Sequence, residues 1–231
     1  EADESTRYLV LEMGASGPGH IAYLTGIAPL DAAGVLMVGH AHMGGFGSIE
    51  GVAAAKAEIV AGLRPDGTGI LNADDARAAA MAELAPARVL TFSSQGRAAD
   101  LRAENVVLDA AARAAFDLHL PGLDEPRRVQ LAVAGAHNVA NALAAAGLAL
   151  AAGLAPELIA ERLGSVSIES PHRMDVSELG GDLLLIDDSY NANIDSMTAA
   201  LAVLPALAGD RRRVVVVSEM LELGESSAAD H

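Results

Sequence analysis

Lys56 is the side chain whose position most clearly suggests chemistry. Within residues 48–63 it is in phase with the apolar residues Val52 and Ile59, so it falls on the buried stripe of a predicted helix that Ser48 can cap. A lysine there either extends its amine to the rim of the core or keeps it partly buried with a lowered pKa. A neutral amine can react with carbon dioxide to form a carbamate, which is a carboxylate-like metal ligand. Both interpretations stay open at this point.

Three further candidate metal ligands follow predicted strands. Glu12 lies at the end of an apolar run, and His40 and His42 follow the next run in a glycine-rich loop. In open α/β sheets ligands gather at the carboxyl ends of the strands, and a carboxylate there suits a hard metal ion. The alternatives are a solvated acid at a strand end and two loop histidines with ordinary hydrogen bonds.

Candidate nucleotide contacts occur farther along the chain. His137, Asn138 and Asn141 open an alanine-rich helix, where backbone N–H groups attract anions and side-chain amides can bind the edge of a base. Helix capping by Asn138 is the simpler alternative. Arg173 has the permanently charged, forked group that suits phosphate, although it could also be an ordinary surface arginine. Residues 187–193, rich in Asp, Asn and Ser, end an apolar run and indicate a binding loop.

The elements that must position these residues alternate between strand and helix up to about residue 104, which predicts a mostly parallel sheet. Short strands after that point predict an antiparallel extension. A boundary at residues 165–171 separates a first domain, residues 1–168, from the start of a second α/β domain, residues 169–231. Strands are predicted at residues 8–13, 35–38, 70–72, 88–92, 106–108, 116–120, 129–133, 174–178, 183–186 and 214–217. Helices are predicted at residues 48–63, 76–84, 137–152, 156–163 and 195–207.

Composition excludes several classes of function. The formal net charge of −16 makes nucleic acid an improbable partner, because an acidic surface repels phosphate backbones. The chain has no cysteine, which excludes disulfides and Cys-ligated zinc and fits a reducing cytoplasm. It has no uninterrupted apolar stretch of membrane-spanning length and no signal-peptide pattern at its start. We therefore expect a cytoplasmic protein without membrane insertion. The sequence leaves the oligomeric state open, and we expect a monomer.

Several motifs resemble those of one enzyme family, the Mur ligases. The stretches that resemble its central ATPase domain are LEMGASGPGHIAYL, GHAHMGGFGS, AAAKAEI, GILNADD and AGAHNVANALAA. Those that resemble the start of its C-terminal domain are HRMDV, IDDSYNAN, DSM and EMLELGE. The motifs follow one another in the family's order and spacing, and the resemblance covers essentially the whole chain.

The resemblance implies a fold and an activity. The fold would be the central ATPase domain, with flanking helices on a mostly parallel sheet, followed by the first part of a Rossmann-like C-terminal domain. The activity would be ATP-dependent formation of an amide bond in peptidoglycan precursor synthesis. IDDSYNAN and EMLELGE favour the family members that join D-alanyl-D-alanine to UDP-N-acetylmuramoyl-tripeptide through an acyl phosphate.

The resemblance also implies roles for individual residues. Glu12 and His42 would bind Mg²⁺, and a carbamylated Lys56 would support a second Mg²⁺. The residues implied to act in catalysis are Lys56, His42 and Arg173. Those implied to bind ATP or to line the closing interface beside it are His137, Asn138, Arg173, Asp188, Asn191 and Asn193, with adenine at Asn138, the phosphates at Arg173 and the ribose at Asp188.

The sequence departs from the family pattern in places. The glycine-rich phosphate loop with its Lys is not found, so we expect a chain truncated at both ends and inactive alone. The local departures are His20, Met37, Ile194 and Ser218, where an acid, Asn, Pro and Gly are expected. Two alternatives remain: a non-catalytic nucleotide-binding remnant, and another ligase of the superfamily such as a folylpolyglutamate synthase, against which IDDSYNAN argues.

Overall fold

A computed structural model describes residues 3–39, 46–167, 170–221, 223 and 227–231. No helix among these residues is long and apolar enough to cross a membrane. The helices are α1 (His20–Ile27), α2 (Ile49–Ala61), α3 (Ala76–Ala80), a 3-10 turn (Met81–Leu84), α4 (Asn138–Ala151), α5 (Pro156–Leu163), α6 (Ile194–Ala208) and α7 (Ser227–Asp230). The strands are β1 (Leu30–Val35), β2 (Leu63–Asn72), β3 (Arg88–Ser93), β4 (Leu101–Leu108), β5 (Arg113–His119), β6 (Arg127–Ala134), β7 (Asp175–Gly180) and β8 (Leu183–Asp187).

Strands β1 to β6 form one six-stranded sheet in chain order. Strands β1 to β4 run parallel to one another, whereas β5 and β6 are added antiparallel. This arrangement confirms the predicted mostly parallel sheet with a small antiparallel extension. It also brings the carboxyl ends of β1, β2 and β3 to the same edge, as parallel strands require.

Helix α4 packs against one face of this sheet and forms the larger part of the core. Leu143 and Val139 on the helix are buried against Ile70 and Phe92 of the sheet. The approach is close because Gly147 has no side chain, and a β-carbon there would lie 2.8 Å from Cγ2 of Ile70. The alanine-rich sequence of α4 therefore allows the helix to lie nearly on the backbone of the sheet.

Helix α2 belongs to the second core cluster, where Val52 and Val60 pack with Leu71 of β2. The helix begins as the sequence predicts, because the Ser48 side chain accepts a hydrogen bond from the Gly51 N–H. Glu58 on α2 caps α1 in turn, since its carboxylate accepts the N–H groups of Gly19 and Ala22 at 2.6 and 2.9 Å.

Beyond residue 170 the chain forms a smaller unit. Strands β7 and β8 make an antiparallel hairpin, and α6 follows. Asn193 caps α6 through a capping box with Ser196, in which each side chain bonds to the other residue's backbone N–H.

Two predicted strands are wrong. Residues 8–13 and 214–217 have no regular secondary structure and belong to neither sheet, and Val10 and Val216 are 89% and 94% exposed. An apolar run indicates that a segment tends to be buried. A strand also needs a neighbouring strand that forms hydrogen bonds with its N–H and C=O groups. No strand in the described part of the chain supplies that neighbour.

Several predicted boundaries also shift. Strand β1 lies at Leu30–Val35, earlier than residues 35–38, and β4 begins at Leu101 instead of residue 106. Strand β2 begins at Leu63, earlier than residue 70, and so includes Gly67 and Gly69. Gly69 pairs with Ala33 of β1, whereas Gly67 lies where the register of that pairing shifts, and a β-carbon there would be 3.0 Å from the Asp31 carbonyl oxygen.

Candidate functional site

Lys56 is half-buried on α2, as its position on the apolar stripe predicts. Burial lowers the pKa of its amine, and the carboxylate of Asp75 acts in the opposite direction. The structure therefore places the partly desolvated amine within electrostatic range of an acid from another element, Asp75, which the sequence analysis did not identify.

Asp75 has a structural task of its own at the carboxyl edge of the sheet. Its Oδ1 accepts the N–H groups of Arg77 and Ala78 at 2.9 and 3.1 Å, which caps α3. Its Oδ2 accepts the N–H of Val38 at 2.6 Å. Val38 directly precedes the glycine-rich loop, so the acid whose charge acts on Lys56 also holds the start of that loop.

The same edge of the sheet is cross-linked by further polar side chains. Asn72, at the end of β2, donates to the carbonyl of Leu36 at 2.8 Å. Asp74 accepts from the Ser93 hydroxyl at 2.6 Å and from the Ser94 N–H at 2.7 Å. These contacts hold the ends of β1, β2 and β3 in register. The polar run at residues 72–75 was the signal in the sequence that could have identified them.

The two other predicted Mg²⁺ ligands are not brought to Lys56 in the described part of the chain. His42, together with His40, lies outside the described residues. Glu12 is exposed in the unpaired run at residues 8–13 and forms no hydrogen bond or ion pair with another described residue. Among the described residues no group of three or more His, Asp or Glu could hold a metal ion.

His137 and Asn138 stand at the start of α4. Asn138 does not cap this helix: its amide donates to the Ala134 carbonyl at 2.8 Å, and its oxygen accepts from Asn141 at 2.9 Å. The NH₂ group and the oxygen of the Asn138 side chain can each form one more hydrogen bond, because the NH₂ group has two hydrogens and the oxygen has two lone pairs. His137 is exposed as a residue, yet partial burial of its ring lowers its pKa, and the carboxylate of Asp188 opposes that shift.

Arg173 lies just before β7 and meets the turn after β8. Its guanidinium Cζ is 4.2 Å from the centroid of the Tyr190 ring. The next residue, Met174, donates its N–H to Oδ1 of Asp188 at 2.9 Å. Arg173 and Asp188, which are 15 positions apart in the sequence, thus belong to one local cluster.

Asp187, which the sequence analysis did not separate from its neighbours, pairs with His172 on the other side of this cluster. Nδ1 of His172 is 2.8 Å from Oδ2 of Asp187. Hydrogen bonds from His172 and Ser189 lower the pKa of Asp187 to about 2. Of the remaining polar residues in this run, Asn193 caps α6, and the exposed Asn191 accepts the N–H of Ala192 through its own side chain.

A cleft of about 500 Å³ lies between β6 and the segment that carries Arg173. Ala134, whose carbonyl holds Asn138, lines one side, and Arg173 with Met174 lines the other. The volume is within the usual range for small-molecule sites. The complete lining is Ala111, Arg113, Ala132, Val133, Ala134, Ser167, Ser170, Pro171, Arg173, Met174, Asp175, Val176 and Leu207.

The start of α6 approaches the other part of the site. A β-carbon added to Gly39 would lie 2.6 Å from Oδ2 of Asp195, so this glycine leaves room for the helix. The structure therefore brings Arg173 to Tyr190 and places Lys56 and His137 within electrostatic range of Asp75 and Asp188, and it does not bring Glu12 to any of them.

Comparison with known proteins agrees with this architecture. Residues 1–149 match the family model of the Mur ligase middle domain, and residues 172–231 match that of the Mur ligase, glutamate ligase domain. The chain belongs to the Mur ligase family.

Individual relatives are similar along nearly the whole chain. The UDP-N-acetylmuramoyl-tripeptide–D-alanyl-D-alanine ligase of Mycobacterium tuberculosis is 44% identical over 100% of this chain and 45% of that protein. A crystal structure of MurF from Acinetobacter baumannii superposes with a TM-score of 0.85 at 36% identity, covering 94% of this chain and 46% of that one. MurF from Thermotoga maritima in complex with ADP superposes at 0.78 and 26% identity, covering 94% and 48%. The chain thus spans about half the length of these relatives.

Proposed function

We propose that the natural protein containing this chain is an ATP-dependent ligase that joins D-alanyl-D-alanine to UDP-N-acetylmuramoyl-tripeptide. The observation that carries the proposal is the cleft between β6 and the segment that carries Arg173, together with the electrostatic effect of Asp188, next to Arg173, on His137 at the start of α4. Membership of the Mur ligase family and the names of the similar proteins support the same activity.

The proposed reaction uses these residues in two steps. A carboxylate oxygen of the tripeptide takes the γ-phosphoryl group of ATP, which releases ADP. The neutral amine of D-alanyl-D-alanine then attacks the acyl phosphate carbon, phosphate leaves, and the nitrogen loses a proton to give the amide. Arg173 offsets the charge of the transferring phosphoryl group with its forked N–H donors. Asp188, whose Oδ1 accepts the Met174 N–H, accepts a ribose hydroxyl through Oδ2, to which no other described residue donates, and the amide of Asn138 contacts the adenine edge.

Mg²⁺ belongs to the same proposal. The lowered pKa of Lys56 fits a carbamate, because only the neutral amine reacts with carbon dioxide. Glu12 and His42 would hold one Mg²⁺ and the carbamylated Lys56 would support a second, and these ions would offset the negative charge gathered by the phosphates and the carboxylate. Asp75 keeps the start of the loop that carries His42 tied to this place.

Three further proposals concern the whole protein. We propose a domain boundary between residues 168 and 169, which the two family-model matches flank. Asn191 and Asn193 would face the closing interface between the two domains. The absence of cysteine supports a cytoplasmic location, and we propose that the protein acts there as a monomer.

The test is phosphate release by the natural protein with ATP, Mg²⁺, UDP-N-acetylmuramoyl-tripeptide and D-alanyl-D-alanine. We expect release that depends on the dipeptide. Arg173→Ala should cost about 2–4 kcal/mol in the transition state, or roughly 30- to 1000-fold in turnover, with the affinity for the UDP substrate retained. ATP binding without dipeptide-dependent release would refute the proposal and favour a nucleotide-binding remnant.

A further inference from the structure

The backbone around Arg173 has an unusual conformation. The residues on either side of it, His172 and Met174, have φ angles of 61° and 48°. These two are among five non-glycine residues with positive φ in the described part of the chain. Side chains with a β-carbon disfavour this left-handed region, and it persists only where the surroundings hold it in place. Two such residues flanking one arginine indicate that the direction of its side chain is controlled.

Three contacts hold this conformation, and they come from the end of β8 and from the turn that follows it. The N–H of Tyr190 donates to the carbonyl of His172 at 3.0 Å, and the N–H of Met174 donates to Asp188 at 2.9 Å. The third contact is the pair of His172 with Asp187 at 2.8 Å. The segment that carries Arg173 is therefore fixed on both sides to residues that neighbour the Tyr190 ring.

The side chain of Arg173 is held by that ring. The distance of 4.2 Å from Cζ to the ring centroid is well inside the range of cation–π attraction. Among the described residues no carboxylate forms an ion pair with Arg173. A guanidinium that stacks through its face keeps the N–H donors along its edge available for a phosphate.

We propose that Tyr190 is a positioning residue for Arg173 and holds its guanidinium stacked and ready to bind the phosphates of ATP. This inference rests on the proposed function. A long arginine side chain loses rotamer freedom when it binds an anion, and a ring that has already restricted those rotamers reduces that cost. Tyr190 therefore acts through Arg173 and needs no contact of its own with ATP.

The test is a double-mutant cycle in the natural protein. Tyr190→Leu removes the ring at a position that is 60% exposed, so the fold should persist. We expect kcat/KM for ATP to fall roughly three- to tenfold, with the KM for D-alanyl-D-alanine unchanged. Tyr190→Phe keeps the ring and should stay within about twofold of the parent. In an Arg173→Ala background, Tyr190→Leu should have no further effect.

The matched control is Tyr23→Leu, which removes a tyrosine that is 71% exposed on α1. It should leave kcat/KM for ATP unchanged. Thermal melting followed by circular dichroism checks each fold. If Tyr190→Leu unfolds, Tyr190→Gln removes the ring without leaving an apolar side chain exposed.

Calorimetric titration with ATP measures binding affinity in the same four proteins, which gives the double-mutant cycle without turnover. Equal losses from Tyr190→Leu in the parent and in the Arg173→Ala background would overturn the positioning role, as would normal ATP affinity and kcat/KM in Tyr190→Leu. A parent that binds ATP with the expected coupling but releases no phosphate with the dipeptide would refute only the proposed function. A parent that binds no ATP would refute both.

Discussion

Asp75 offers a sharp test of how the edge of the sheet is held together, because its two carboxylate oxygens have separate tasks. Oδ1 caps α3, and Oδ2 accepts the N–H of Val38 at 2.6 Å, just before the glycine-rich loop. Asp75→Ala removes both tasks. Asp75→Asn keeps an oxygen for the cap but places an NH₂ group where the second acceptor stood.

The expected losses follow from these contacts. Removing an N-cap side chain costs about 1 kcal/mol, and a hydrogen bond to a charged group is worth about 1.5–3 kcal/mol. Asp75→Ala should therefore lower the free energy of unfolding by about 2–4 kcal/mol. Asp75→Asn should lose only the second contribution, about 1.5–3 kcal/mol, since asparagine caps helices as well as aspartate does.

Urea unfolding of the natural protein at pH 7 measures these free energies. The dependence of the unfolding free energy on urea concentration should be the same in all variants. Asp66→Asn, a change at an exposed aspartate in β2, is the matched control and should be neutral. NMR titration of the Lys56 amine adds a second readout, because Asp75→Asn removes the charge that opposes the shift and should lower the pKa of Lys56 further. A stable Asp75→Asn with an unchanged Lys56 pKa would refute this account.

Three other predictions concern Lys56, His137 and Gly147. Lys56→Ala should lose most phosphate release, and short carboxylates added to the assay should partly restore it; near-normal turnover without them would mean that Lys56 is only a side chain extended to the rim. Because burial lowers the pKa of His137 below its ordinary 6.5, the unfolded state binds the proton more readily, so stability should fall as the pH drops through and below 6.5. His137→Gln should flatten that dependence in unfolding measured from pH 5 to 7; an unchanged slope would contradict it. Gly147→Ala places a β-carbon 2.8 Å from Cγ2 of Ile70 and should cost about 1–3 kcal/mol of overpacking, offset by roughly 1 kcal/mol of helix propensity. A melting temperature well above the parent's would show that the sheet yields at this contact.

Most helices could be predicted because their signals are local. Ser48 caps α2, and the apolar period that follows it predicts the buried stripe on which Lys56 lies half-buried. Helix α5 begins at Pro156 for an equally local reason, since proline has no N–H to lose at a helix start. Such patterns depend on residues within a few positions of one another, so the sequence alone contains them.

The partners of the site residues could not be predicted in the same way. Lys56 could be identified as a candidate, but Asp75, which opposes its pKa shift, comes from the end of another strand. The polar run at residues 187–193 looks like one binding loop in the sequence. In the structure its residues make separate contacts: Asp187 pairs with His172, Tyr190 stacks on Arg173 and Asn193 caps α6.

The sequence by itself determined the family motifs, the order of most elements and the apolar faces that form the core, because each depends on residue type and short spacing. Only the tertiary structure decided which strands pair and which charges meet. Residues 8–13 and 214–217 have the composition of strands but no neighbour to complete a hydrogen-bond ladder. Arg173 could be a surface arginine until the fold brings the Tyr190 ring beneath it, since stacking and charge pairing depend on distance in space and not on distance along the chain.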